Sequence, residues 1–148
     1  MRRLSPIAAL AALSCAACLH DPAKAVESWY GLARATCGPA DGPAVELSID
    51  TLPYAACSSS HEGQVRYYGG YVTFDSLRAG FTDSVRTAHI CEKCPGTDST
   101  VETLWLQVVS ADSAAILVDF RHRRTGYVSK SGRVLLKACR EKPGPFCG

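Results

Sequence analysis

The chain is 148 residues long, with a formal net charge of +2 and a 47% share of hydrophobic residues. That is the size and balance of one globular domain. A chain so nearly neutral, with no recognition motif, is not built to grip nucleic acid. Eight cysteines in so short a chain point to an oxidising compartment.

The N-terminus supplies a reason for that compartment. Arg2 and Arg3 precede an apolar run from Leu4 to Leu19, followed by Ala23-Lys24-Ala25. A charged start, an apolar middle and an A-x-A site predict a secretory signal over 1–25, leaving a single β-rich domain over 26–148. The apolar run is shorter than the roughly 20 residues that span a membrane. Cys15 and Cys18 stand where bacterial lipoproteins carry an acylated cysteine. The expected address is therefore exported, periplasmic or extracellular, with a lipid anchor through Cys18 as the alternative. Arg2, Arg3 and Lys24 leave with the signal while only Asp21 does, so the remainder is neutral. Acidic side chains outnumber basic ones up to residue 112, and basic ones dominate from 113 onward. The two parts then either attract each other or present different faces.

In chain order, Val26–Ala35 reads either as a short helix, with Trp29, Leu32 and Ala33 on one face, or as a first strand. Val45, Leu47 and Ile49 alternate with Glu46, Ser48 and Asp50, the period of a half-buried strand. Tyr67, Tyr68, Tyr71 and Phe74 form an aromatic stretch broken by Gly69-Gly70, suited to core packing or to a ligand wall. Phe81, Val85 and Thr87 share one side of a strand, with Thr82, Ser84 and Arg86 on the other. Leu104, Leu106 and Val108 alternate with Thr103, Trp105 and Gln107, so both faces of that strand look covered. Ile116, Val118 and Phe120 alternate with Ala115, Leu117 and Asp119. Gly126–Ser129 and Arg133–Ala138 follow as strands. Turn chemistry separates these runs at Asp41-Gly42-Pro43, Ala79-Gly80, Pro95-Gly96, Ser110-Ala111-Asp112-Ser113 and Lys130-Ser131-Gly132. The expected fold is all-β: a single antiparallel meander closed as a small barrel or two-sheet sandwich and stapled by disulfides.

Trp29-Tyr30-Gly31-Leu32-Ala33-Arg34 resembles the first-strand signature of lipocalins, and Tyr68-Gly69-Gly70-Tyr71 resembles a glycine-broken strand of some bacterial members. The resemblance implies an up-and-down barrel closed at one end by Trp29, with an apolar cup for a small lipophilic ligand. It also implies a C-terminal arginine, Arg140, packed over the Trp29 indole. Trp29, Tyr67, Tyr71 and Arg140 are the ligand-binding candidates.

Six cysteines follow the signal: Cys37, Cys57, Cys91, Cys94, Cys139 and Cys147. The expectation is three bridges, with Cys37–Cys57 the preferred pair. Cys91 and Cys94 either bond each other or reach Cys139 and Cys147. In Cys91-Glu92-Lys93-Cys94-Pro95-Gly96 the spacing also suits metal chelation. No cofactor is expected, and zinc held by Cys91, Cys94, Cys139 and Cys147, or with His89, is the alternative. Thiol redox chemistry at Cys91 and Cys94 is a further one. Ser58-Ser59-Ser60-His61-Glu62 holds the residue types of a nucleophile and base but lacks a glycine-framed elbow, and no enzyme is expected. Arg121, Arg123 and Arg124 form a basic surface patch suited to phosphate, sulfated glycans or anionic lipid headgroups, or to a solvated strand edge. The leading function is a non-enzymatic exported binding domain. The alternative is an interaction module of the cell envelope, with a protein partner or an anionic surface.

Overall fold

A computed structural model describes residues 28–90, 99–141 and 147. The signal segment with Cys15 and Cys18, and the motif from Cys91 to Gly96, lie outside them. The strands are β1 (Tyr30–Cys37), β2 (Pro43–Asp50), β3 (Val65–Tyr68), β4 (Thr82–Ile90), β5 (Ser99–Ala111), β6 (Ala115–Arg124) and β7 (Lys130–Cys139). They form one nearly closed, barrel-like sheet in the order β3-β2-β1-β7-β6-β5-β4.

Two antiparallel meanders, β1–β3 and β4–β7, meet where β1 pairs with β7 in parallel, Gly31 opposite Leu136 and Arg34 opposite Cys139. Seven strands that alternate in direction leave the first and last pointing the same way, so their pairing has to be parallel. The expected single antiparallel meander is therefore interrupted between β3 and β4, whose facing edges carry no ladder.

The period-two pattern places the core. Val45, Leu47 and Ile49 of β2, Leu104, Leu106 and Val108 of β5, and Ile116, Val118 and Phe120 of β6 are buried together with Tyr67, Val134 and Leu136. Each such side chain contributes about 1.5–3 kcal/mol when taken from water, and these side chains fill the middle of the barrel. Trp29 adds its indole edge-on to Phe120, centroids 5.0 Å apart, and lies over Gly132, where a Cβ would come within 2.6 Å of Nε1.

Several local expectations shift. Tyr30–Cys37 is strand, since β1 is paired on both sides and that outweighs any helical periodicity in the segment. Gly126–Ser129 is the β6–β7 turn, with Gly126 at φ +80°, and Lys130-Ser131-Gly132 begins β7 opposite His122, Arg121 and Phe120. The aromatic stretch stops being strand at Tyr68, and Tyr71 and Phe74 belong to the loop that leads to β4.

Among the described residues two disulfides staple the sheet. Cys37 pairs with Cys147 and Cys57 with Cys139, Cα atoms 5.4 and 5.8 Å apart. The expected Cys37–Cys57 bridge is replaced because β1 is flanked by β7, which delivers Cys139 beside Arg34 on the outer face. The long segment after β2 is drawn across that face. Arg34 Nη1 donates to the carbonyls of Ser59 (2.9 Å) and Cys57 (3.4 Å), and its Nη2 donates to Ser48 Oγ at 2.7 Å.

Candidate functional site

Extending the β6 alternation past Phe120 carries it to His122 and Arg124, so these two side chains share the inner face with Ile116 and Val118. The sheet register sets them in cross-strand rows. Val85, Leu104 and His122 lie side by side, and Thr87, Glu102 and Arg124 form the next row. Above these rows is a cavity of about 790 Å³, also lined by Arg66, Tyr68, Tyr127, Val128 and Lys130.

Its polar floor is unusual. His122 is 7% exposed, and Glu102 Oε1 lies 2.5 Å from its Nε2. A carboxylate only accepts, so Nε2 carries the hydrogen in that pair. Among the described residues His122 Nδ1 and Arg124 Nε are buried with no hydrogen-bond partner. The Arg124 guanidinium stacks over Tyr127, 4.5 Å from the ring centroid. Glu46, on the far wall, is held by Arg66 at 2.7 Å and by Arg34 at 3.4 Å. Among the described residues, Arg124 and Lys130 are therefore the cations lining the cavity without a carboxylate of their own.

A second cavity, of about 670 Å³, lies outside the barrel between β1–β3 and the segment after β2. His61 is oriented there by Asp50, Nδ1 to Oδ2 3.0 Å, and by stacking on Tyr54 at 4.3 Å. Burial, then the Asp50 charge, pushes the Tyr54 phenol up to about 12. Ser58 and Ser60 line the same space. Ser59 spends its hydroxyl accepting from Ala56 N. Among the described hydrogen bonds none joins a serine to the imidazole, so Asp50 and His61 are a carboxylate–base pair without a nucleophile in place.

The sequence-derived candidates are dispersed. Tyr67 is in the core and donates to Asp83, Trp29 packs on Phe120, and Tyr71 is 78% exposed. Arg140 does not reach the Trp29 indole. It lies 4.4 Å from the Phe74 centroid and donates to the Ser113 and Asp112 carbonyls, because the chain leaves β7 beside the β5–β6 turn. None of the four lines either cavity. The basic patch divides: Arg121 stacks over Trp105 on the outer face at 4.4 Å, Arg123 is exposed there, and Arg124 turns inward. The four-sulfur zinc set is broken, since Cys139 and Cys147 are each bonded to another cysteine. Among the described residues no three His, Cys, Asp or Glu side chains are grouped to hold a metal, and no helix is long and apolar enough to cross a membrane. Asp83 and Glu102 escaped the sequence reading, and His122 reads there only as a histidine in polar surroundings, although the same period-two count that found Phe81, Leu104 and Phe120 reaches all three.

No protein-family model, curated protein or solved structure matches this chain.

Proposed function

We propose that the protein is an exported, non-enzymatic binding domain that takes a small amphiphilic ligand in the cavity above His122 and Arg124. The observation that carries this reading is the cavity itself. At about 790 Å³ it falls in the range of small-molecule sites, and it combines apolar walls (Val85, Leu104, Tyr127, Val128) with a few convergent polar groups. The packed middle of the barrel argues against a deep axial cup, so the ligand would sit towards the Arg124 end, between the floor of β4–β6 and the outer residues Arg66 and Tyr68.

The barrel-like sheet and the packing of Trp29 on Gly132 and Phe120 support a lipocalin-like form of this reading. The parallel β1–β7 pair and the seven strands depart from that family's eight-stranded up-and-down barrel. The disulfides support export, since such bonds persist in oxidising compartments.

Purified protein, isolated from the envelope or medium of an expressing bacterium, is titrated with the neutral fluorophore N-phenyl-1-naphthylamine. Saturable binding at one site per chain, weakened by Leu104→Trp filling the cavity, is the expected result. Linear, unsaturable fluorescence, or binding indifferent to Leu104→Trp, would refute the reading.

A further inference from the structure

We infer that the polar floor of this cavity is a subsite for an anionic oxygen group, a carboxylate or a phosphate, received by the Arg124 guanidinium. This rests on the cavity being the ligand site, and it adds what part of the ligand is recognised and by which atoms.

Natural folds leave few buried polar groups unpaired, and those that are unpaired usually await a ligand or a water. Here the two side chains that carry such groups, His122 and Arg124, line one cavity from alternate positions of one strand. His122 is more than nine-tenths buried, and Glu102 holds its Nε2, which fixes the ring and leaves Nδ1 unengaged. The Arg124 guanidinium offers N–H donors and no acceptor.

The surrounding charges favour the same ligand class. Glu46 is satisfied by Arg34 and Arg66, and Glu102 is engaged by His122. Among the described residues the Arg124 and Lys130 cations lack a carboxylate partner, so an incoming anion would complete the site where a cation would meet repulsion. The guanidinium plane is held by Tyr127, which orients the group before any ligand arrives. Tyr127 and Val128, at 64% and 86% exposed, then offer apolar surface to the rest of an amphiphile at the mouth.

The test displaces bound N-phenyl-1-naphthylamine with decanoate, decyl phosphate or decanol, which share one chain length and differ in head group. Displacement by the anions at concentrations about tenfold or more below that of decanol is expected, since a site built to pair a polar group rejects the analogue lacking it. The better of the two anions identifies the head group as carboxylate or phosphate. Arg124→Gln should erase the preference while leaving decanol unchanged, and the outward-facing Arg123→Gln should leave it intact. If Arg124→Gln does not reach the wild-type melting temperature, Arg124→Lys, which keeps the charge without the guanidinium, should retain only part of the preference. Equal displacement by all three, as a site filled by water alone would give, overturns the inference while the cavity reading stands. A preference that survives full-strength in both Arg124 variants does the same. If the fluorophore and all three compounds fail to bind, the cavity reading falls and this inference with it.

Discussion

The Tyr67 phenol donates to the Asp83 carboxylate at 2.5 Å, and this bond crosses the one seam, between β3 and β4, that no backbone ladder closes. Gly69 makes it possible: a Cβ there would lie 2.5 Å from the Tyr67 hydroxyl. Gly69 thus makes room for a side chain of the strand that precedes it. A hydrogen bond to a charged acceptor is worth more than a neutral one, so this contact acts as a latch on an otherwise open edge.

Removing that latch should loosen the seam before the rest of the barrel. Tyr67→Phe is expected to lower unfolding free energy by about 1–2 kcal/mol, read from urea denaturation. Hydrogen exchange should quicken at residues 65–68 and 82–85 while β6 stays protected. Gly69→Ala, which crowds the hydroxyl away, should give the same exchange pattern. Uniform acceleration over all strands would show that the bond is not a local latch.

Alkaline pH should act through the same residue. Burial, then the bond to Asp83, pushes the Tyr67 phenol far above its ordinary 10.0, and burial does the same to Tyr54, to about 12. The unfolded chain releases these protons near the ordinary value and the folded chain holds them. Their stabilising effect is therefore complete below about pH 10 and is lost as pH rises towards the folded values. Melting temperature should fall progressively above that pH, and the fall should be shallower in Tyr67→Phe. Parallel profiles for the two proteins would remove Tyr67 from the account.

Peptide mapping under non-reducing conditions should recover Cys37–Cys147 and Cys57–Cys139. With those partners engaged, Cys91 and Cys94 have only each other among the six. The Cys57–Cys139 bond joins residues 82 apart in sequence, and such a loop stabilises by roughly 4 kcal/mol in the chain-entropy account. Replacing both residues by alanine should lower stability on that scale and expose 51–64 to proteolysis, because the bond fastens that segment to the outer face.

Gly132→Ala should displace the Trp29 indole that covers it. In a Trp105→Phe background Trp29 is the only tryptophan, since the chain has 2. Its emission should shift to the red, with a stability loss of about 1–3 kcal/mol from overpacking. An unshifted emission would mean that the indole does not rest on Gly132.

Much of the barrel could be read from residue order. The alternation of Val45, Leu47 and Ile49, of Leu104, Leu106 and Val108, and of Ile116, Val118 and Phe120 named three strands and the face each turns inward. Glycine was ambiguous at Gly126 and Gly132, since the same residue serves a turn at positive φ in one place and a close approach to Trp29 in the other. The cavity floor was legible in part. His122 and Arg124 continue the inward count of β6, yet two polar side chains after Phe120 look like the end of a buried face.

By itself the sequence determined the all-β character, the strand faces and most turns, because the pleat and the turn residues act over a few neighbours. Only the tertiary structure decided that β1 lies between β2 and β7, that Cys37 meets Cys147 across 110 positions, that the seam falls at β3 and β4, and that His122 and Arg124 share a cavity. Those outcomes depend on which distant strands pair. Alternating patterns of this kind fit several pairings equally well, and the choice is made by the summed packing of the closed core.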